Sequence, residues 1–250
     1  MSLNLDKTWL ATLKKIDKES IEFTTDLVKS VIDLTLLDEL ADNDALKTLA
    51  EEANSHRVAA VCVFPEHLEK FKHLETSKRA TVVNFPKGQD SLDTTLATIQ
   101  KIALAHVDEV DYVFAYPDYL SGHQRYALQQ CHEVYACCQA NNIRLKVILE
   151  TGAFPNAPLI YKASCDILNS GCDFLKTSTG KIKIGATPLA AFSMLKAITD
   201  SNSSVGIKIS GGIKQLKQAY FYMALAAFIC KKEIDNSWFR IGSSSLHRMI

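Results

Sequence analysis

The sequence predicts a single (β/α)8 barrel (TIM barrel) domain over residues 1–250, and three observations lead to that prediction. Short, continuously apolar segments alternate with amphipathic segments eight times along the chain. Apolar strands of this kind are typical of a parallel sheet covered by helices. The length of 250 residues fits eight such units, and no linker divides them. A doubly wound open sheet is the competing architecture, but it rarely needs eight units.

The first half of the chain contains a helical extension and four strands. Residues 1–30 are predicted to be an N-terminal extension, helical over 4–30, that covers the bottom of the barrel. The strands are predicted at 31–35, 58–64, 80–85 and 109–114, and Pro65, Pro86 and Pro117 end three of them because proline cannot donate to a strand ladder. Helices are predicted at 44–54 with Asn43 as N-cap, at 66–76, and at 92–106 after Ser91.

The second half contains the other four strands. They are predicted at 145–149, at a short segment ending at Lys176, at 205–209 and at 238–241. Helices are predicted at 121–141, from Asn156 to a left-handed cap at Gly171, at 189–199 and at 213–230, with a last one after residue 245.

Composition and charge limit the classes of function. Lys and Arg total 28, as do Asp and Glu, so no basic field indicates nucleic acid or an anionic membrane. No apolar run approaches the ~20 residues that a membrane span needs, and the N-terminus lacks the apolar core of a signal peptide. The seven cysteines include no C-x-x-C pair, which indicates reduced thiols in a cytoplasmic protein.

The stretch from Asp173 to Lys181 carries the strongest chemical signal. Lys176 ends a buried strand, and desolvation there would lower its pKa and make it an amine nucleophile for a carbonyl. Thr177-Ser178-Thr179-Gly180-Lys181 offers hydroxyls, backbone N–H groups and a cation, which suit a phosphate. The ordinary alternative is that the lysine extends to solvent and the Ser/Thr/Gly run forms a plain turn.

Polar residues also interrupt other apolar strands. They are Asp33, Asp111, Lys146 and Lys208, and in a barrel they would point into the interior or its mouth, where the chemistry lies. Lysines that face one small volume repel one another, which depresses an amine pKa further. A structural salt bridge is the alternative for any one of them, and we favour it for Asp33 and Lys146.

Two loops predict a phosphate site, and other motifs are missing. Ser210-Gly211-Gly212 follows the seventh strand and Gly242-Ser243-Ser244-Ser245 the eighth, where barrels of this type often bind phosphate. Gly180-Lys181 does not complete a P-loop, and the scattered histidines give no metal-ligand set. We therefore expect neither a metal nor a cofactor.

These segments resemble the deoxyribose-phosphate aldolase family. The resemblance rests on residues 109–114, 145–152, 174–181, 208–212 and 240–245, of which Lys-Thr-Ser-Thr-Gly is highly specific, and it extends to 32–35 and 61–65. It implies a class I aldolase that cleaves 2-deoxy-D-ribose 5-phosphate to D-glyceraldehyde 3-phosphate and acetaldehyde during deoxyribonucleoside breakdown. The implied partners are small phosphosugars and aldehydes, and a homodimer is one assembly that we consider.

The resemblance also implies a role for each matching residue. Lys176 would form the Schiff base, Lys208 would lower its pKa, and Asp111 with Lys208 would carry protons. The phosphate would be held by Lys181, Gly211, Gly212, Ser244 and Ser245. Asp33, Lys146, Thr179 and Cys62 would support the site, and Cys62 would line it without taking part in the chemistry.

Two departures from the family and two rival functions accompany this interpretation. Some relatives continue to a C-terminal tyrosine that assists proton exchange, whereas this sequence ends at Met249-Ile250; we expect this to affect the rate and the proton route more than the reaction. The second departure is Ile209-Ser210, which stands where some relatives have Pro-Ala. The rivals are another Schiff-base or phosphate-binding barrel enzyme, and a phosphosugar-binding barrel without catalysis.

Overall fold

The computed structural model describes residues 5–16 and 23–250, and a closed barrel of eight parallel strands lies at its centre. The strands pair in chain order, and β1 closes the barrel against β8. They are β1 Ile32–Leu36, β2 Ala60–Val63, β3 Lys78–Val83, β4 Glu109–Val113, β5 Arg144–Ile148, β6 Phe174–Lys176, β7 Gly206–Ser210 and β8 Phe239–Ser243. The predicted barrel and all of its strands are confirmed.

Helices surround the barrel in the described part of the chain. The α-helices are α1 Leu5–Ile16, α2 Thr25–Ser30, α3 Asn43–His56, α4 Leu92–Ala103, α5 Tyr116–Leu120, α6 Gln124–Ala140, α7 Ala157–Ser170, α8 Pro188–Asp200 and α9 Leu216–Cys230. Short 3₁₀ helices lie at Pro65–Phe71, Thr151–Ala153 and Leu246–Met249. Side-chain caps fix several starts: the hydroxyls of Ser91 and Thr187 accept the backbone N–H groups of Thr94 and Ala190.

The N-terminal extension differs from the prediction of one helix over 4–30. Thr24 has extended backbone angles and its hydroxyl accepts the N–H of Leu27, so a new helix, α2, begins there. Residues 1–4 and 17–22, which belong to the predicted extension, lie outside the described residues. α1 packs against α8 and α9, and the ring of Trp9 lies 5.2 Å from that of Phe192.

Several predicted helix boundaries are wrong for local reasons. Asp42, and not Asn43, caps α3, because its carboxylate reaches the N–H of Ala45 at 2.8 Å. Pro117 ends no strand; it lies in the first turn of α5, which the sequence prediction missed. Gly171 has φ 107° and ψ 130°, which is not the left-handed helical cap expected there.

Other elements are shorter than predicted. Residues 65–71 form a 3₁₀ helix where an α-helix was predicted over 66–76, and α4 ends at Ala103. Helix α9 begins at Leu216, after a capping box between Gln215 and Gln218. The chain after Ser245 forms one short 3₁₀ helix.

The barrel interior has an apolar half and a charged half. Leu37, Ala60, Cys62, Ala80 and Val82 form a separate apolar cluster beside β2 and β3. The remaining strands direct buried carboxylates, lysines and an arginine into the interior. A larger apolar core packs the outer faces of the strands against the helices. This division places the charged groups together at one side of the barrel mouth.

Within the described residues, no helix combines the length and apolarity that crossing a membrane requires.

Candidate active site

The barrel register brings the predicted polar residues together in two pairs. Asp111 on β4 pairs with Lys146 on β5, and Lys176 on β6 pairs with Lys208 on β7. All four side chains are buried, and Lys176, at 3%, is the most exposed of them. Their side chains point into the barrel, and the two pairs meet in one layer of its interior near the ends of the strands.

Asp111 is the centre of this layer. Its Oδ2 lies 2.5 Å from the Nζ of Lys176 and 2.7 Å from the Nζ of Lys208, and its Oδ1 lies 3.0 Å from the Nζ of Lys146. One carboxylate therefore contacts three ammonium groups. Such an arrangement keeps Asp111 ionised and holds the Lys176 amine in a fixed position.

A second set of ion pairs supports the first from below. Asp33 contacts Lys208 at 2.6 Å and Lys146 at 3.5 Å, and it also accepts a hydrogen bond from Arg240 at 2.6 Å. Glu109 contacts Lys146 at 2.5 Å and Arg240 at 2.9 Å. Sequence reasoning gave no role to Glu109 or Arg240, although both stand in strands that the resemblance used.

The charges of this network balance when Lys176 is neutral. Three buried carboxylates, those of Asp33, Glu109 and Asp111, face four buried cationic side chains: Lys146, Lys176, Lys208 and Arg240. Arg144 also contacts Glu109, at 3.6 Å, but its side chain is exposed to solvent, which screens its charge. A surplus positive charge in a low-dielectric interior is costly. Lys176 ends the shortest strand and is the lysine nearest the mouth, so it is the group that can lose its proton at the lowest cost.

The pKa of Lys176 is shifted in the direction that this balance requires. Burial lowers it below the ordinary lysine value, the charge of Lys208 lowers it further, and the nearby Asp111 only partly opposes both. A neutral amine is the form that attacks a carbonyl. Lys176 can therefore act as a nucleophile.

The other members of the network are held in their charged forms. Burial would lower the pKa of Lys208, but Asp111 and Asp33 raise it well above the ordinary value. Burial would raise the pKa of Asp111, yet Lys146, Lys176 and Lys208 hold it well below its usual range. Lys146 likewise has a raised pKa beside Asp111 and Glu109. The structure thus separates one amine that can be neutral from two that are fixed cations.

Cys62 lies beside this network on the apolar side. Its Sγ is 3.9 Å from the Oδ2 of Asp111, and the residue is fully buried. Burial and the charge of Asp111 raise the pKa of its thiol to about 11. The thiol is therefore protonated at neutral pH and is a poor nucleophile.

A cavity of about 270 Å³ opens above Lys176 and contains most of the predicted phosphate residues. Lys181, Gly211, Gly212 and Ser244 line it, as does Thr179. Ser245 is not among its lining residues; the backbone N–H of Ser245 instead donates to the Oγ of Ser243. Lys214, which sequence reasoning missed, adds a second cation to the predicted anion end.

The connection after β6 is fixed in place by the connections after its neighbours. The hydroxyl of Thr177 donates to the carbonyl of Ser210, and the hydroxyl of Ser210 donates to the carbonyl of Ser178. A Cβ on Gly211, which has φ +92°, would lie 2.9 Å from the Cα of Gly185. A side chain at position 211 would therefore push the two loops apart.

The chain matches a known family model over residues 17–229, described as a DeoC/LacD family aldolase. This chain belongs to that family. A solved aldolase named QR15 is 23% identical, with a TM-score of 0.77 over 88% of this chain and 92% of that one.

Two further solved structures cover still more of this family member. A candidate deoxyribose-phosphate aldolase from Coccidioides immitis is 25% identical, with a TM-score of 0.76 over 98% of this chain and 95% of that one. A tetrameric deoxyribose phosphate aldolase from Aeropyrum pernix is 23% identical, with a TM-score of 0.75 over the same shares. The family and the barrel therefore agree with the resemblance that the sequence showed.

Proposed function

We propose that this aldolase cleaves 2-deoxy-D-ribose 5-phosphate reversibly to D-glyceraldehyde 3-phosphate and acetaldehyde through a Schiff base on Lys176. The observation that carries the proposal is the position of Lys176. It is the one surplus amine in a buried charge network, and it lies at the floor of a cavity with two more lysines at its far end. One cavity thus offers both an amine for a carbonyl and cations for a phosphate.

The reaction begins when the neutral amine of Lys176 adds to the C1 aldehyde and water leaves, giving a protonated imine. This cation withdraws electrons, so the C2–C3 bond can break and leave an enamine at C1 and C2. Protonation at C2 and hydrolysis of the imine then release acetaldehyde and restore the amine. D-Glyceraldehyde 3-phosphate departs with the former C3 as its aldehyde carbon and with the phosphate on the former C5.

The atom balance of the products requires that the cleaved bond is C2–C3. Acetaldehyde contains C1 and C2, whereas D-glyceraldehyde 3-phosphate contains C3, C4 and C5, and its new aldehyde is the former C3. The electron pair of the C2–C3 bond moves toward the imine and forms the enamine. The 3-hydroxyl loses its proton as C3 becomes a carbonyl.

Asp111 and Lys208 are proposed to manage that proton and the charge that accompanies it. Asp111 is ionised, so its carboxylate can accept the proton of the 3-hydroxyl directly or through one water. Lys208 keeps its proton and stabilises negative charge beside the reacting carbons. Lys146 contacts Asp111, and Asp33 contacts Lys208. Glu109 and Arg240 contact Lys146 and Asp33 in turn, so these four side chains hold the two groups in place.

The far end of the cavity is proposed to bind the phosphate. Lys181 and Lys214 supply positive charge, and Gly211, Gly212 and Ser244 let the backbone and a hydroxyl approach the anion closely. Ser245, which the resemblance also implied, is proposed only to support the turn through Ser243. Binding at this remote end fixes the position of C1 relative to Lys176.

The test compares turnover with binding in Lys176→Leu. The variant is expected to lose cleavage of 2-deoxyribose 5-phosphate, measured by coupled oxidation or reduction of the triose phosphate, while its affinity for the sugar phosphate stays close to that of the wild type. A wild-type protein that binds the sugar phosphate without cleaving it would support the phosphosugar-binding barrel instead. Turnover that survives in Lys176→Leu would refute the assignment of the nucleophile.

The remaining expectations belong to the same proposal. Residues 1–250 form a single domain with residues 1–30 as its extension, and the protein works in the cytoplasm on small phosphosugars and aldehydes, in deoxyribonucleoside breakdown. A homodimer is the assembly that we propose to test first, by light scattering. Because the chain has no net charge, we propose that nucleic acid is not among its partners.

A further inference from the structure

Glu150 is a buried carboxylate that the proposed mechanism does not use. It is fully buried, as are Asp33 and Asp111, but those two contact cations within 3 Å. Among the residues that the structure describes, Glu150 takes part in no ion pair within 4 Å. A buried carboxylate without a cation is costly, so its hydrogen-bond partners have to explain its position.

The partner of Glu150 is Thr179, in the turn that follows β6. The backbone N–H of Thr179 donates to both carboxylate oxygens of Glu150 at 3.3 Å, and the hydroxyl of Thr179 donates to Oε2. Glu150 follows β5 in the left-handed region, with φ 58° and ψ 59°. Its backbone is thus held in an uncommon conformation that directs the side chain toward the neighbouring loop.

The hydrogen bonds continue from Thr179 to Lys181. Because the hydroxyl hydrogen of Thr179 points to Glu150, its oxygen is free to accept the backbone N–H of Lys181, at 3.0 Å. The side chain of Lys181 then crosses the cavity mouth, where its Nζ donates to the carbonyl of Leu37 at 2.7 Å. One chain of donors and acceptors therefore runs from Glu150 to the cation at the anion end of the cavity.

The connection after β5 also packs directly against the loop that carries Lys181. A Cβ on Gly152 would lie 2.1 Å from the carbonyl oxygen of Ile184, so the two backbones are in contact there. The two loops therefore have a close backbone contact at Gly152 and a hydrogen-bonded contact at Glu150. The hydrogen-bonded contact adjoins the cavity, since Thr179 is one of the residues that line the cavity.

We infer that Glu150 is a positioning residue that orients Thr179 and Lys181 at the anion end and thereby sets the preference for a phosphorylated sugar over an unphosphorylated one. This inference rests on the proposed function. An ionised carboxylate only accepts hydrogen bonds, so it matches the two donors of Thr179. A glutamine at position 150 would present an NH2 group to one of them and leave the turn less well fixed.

The test measures kcat/KM of Glu150→Gln for 2-deoxyribose 5-phosphate and for 2-deoxyribose. We expect the ratio of the two values to fall about tenfold, the effect of one weakened charge-assisted hydrogen bond, with most of the change in KM for the phosphorylated sugar. Thr179→Val should lower the ratio similarly, whereas Thr179→Ser keeps the hydroxyl and should retain the wild-type ratio. The double variant Glu150→Gln/Thr179→Val should be no worse than the poorer single variant.

Two outcomes would overturn the inference. Equal losses for both sugars in Glu150→Gln would indicate a general structural role, and a Thr179→Val variant with the wild-type ratio would remove Thr179 from the chain of contacts. If Glu150→Gln does not fold, the Thr179 pair of variants decides alone. Calorimetric titration with inorganic phosphate separates this inference from the proposed function, because phosphate affinity can be compared between wild type and variants even if the wild type cleaves neither sugar. Equal phosphate affinities in wild type and variants would contradict the positioning role.

Discussion

Replacing Lys208 with methionine should lower the reactivity of the nucleophile, Lys176, although Lys176 itself is unchanged. The Nζ atoms of Lys176 and Lys208 contact the same oxygen of Asp111, at 2.5 Å and 2.7 Å. The two nitrogens are therefore at most about 5 Å apart, and at an effective dielectric constant of about 20 their repulsion amounts to about 3 kcal/mol. Without that repulsion the pKa of Lys176 rises.

The expected result is a slower enzyme whose pH profile moves to higher pH. A change of about 3 kcal/mol lowers the fraction of neutral Lys176 at neutral pH by about a hundredfold, and kcat/KM should fall in proportion. The pKa of Lys176 is lowered in the wild type, so its neutral form is present at lower pH than in the variant. Activity of Lys208→Met should therefore recover partly as the pH is raised.

Lys146→Met is the matched control. Lys146 is also fully buried and also contacts Asp111, but through Oδ1 rather than the oxygen that Lys176 shares. Both variants remove one partner of a buried ion pair, so both should lose about 3–5 kcal/mol of stability in urea unfolding. The pH profile should shift more in Lys208→Met, because Lys208 shares an oxygen of Asp111 with Lys176 and Lys146 does not. A Lys208→Met enzyme with the wild-type rate and profile would refute the reasoning.

Three further predictions follow from the geometry. Lys181→Ala should raise KM for the phosphorylated sugar. Lys183→Ala is the control, because Lys183 is an exposed lysine outside the cavity lining, and it should leave KM unchanged. Equal KM values in the two variants would contradict the proposed anion end. Cys62→Ala should keep its activity, because the thiol is protonated, and loss of activity in a folded variant would disprove this. Arg240→Met should lower the unfolding free energy by about 3–5 kcal/mol, measured with urea, since it removes one buried cation that contacts both Asp33 and Glu109. An unchanged midpoint would argue against a role of these ion pairs in stability.

The sequence was sufficient for the barrel because its strands are buried on both faces. Val58 to Phe64, for example, is a continuous apolar run that only a covered parallel strand explains. Helix boundaries were less predictable, because they depend on local competition between caps. Asp42 and Asn43 are both suitable N-cap residues, and the extended backbone at Asp42 decided between them.

The polar residues of the site were recognisable, but their partners were not. Lys176, Lys208 and Asp111 each interrupt an apolar strand, which is visible without a structure. The roles of Glu109 and Arg240 depend on the register between strands, which pairs Arg240 with Lys208 and places Glu109 two residues before the Asp111–Lys146 pair. A sequence does not state that register. Glu150 was missed for a related reason, since a role for it is indicated only by its hydrogen bonds with Thr179, which is distant in the sequence.

The most direct test of the central claim is borohydride reduction in the presence of acetaldehyde, followed by peptide mass mapping. A Schiff base on Lys176 predicts a two-carbon adduct on that residue alone. An adduct on Lys208 or Lys146 would keep the aldolase but contradict the assignment of the nucleophile. No adduct in a folded protein that binds 2-deoxyribose 5-phosphate would contradict the Schiff-base mechanism itself.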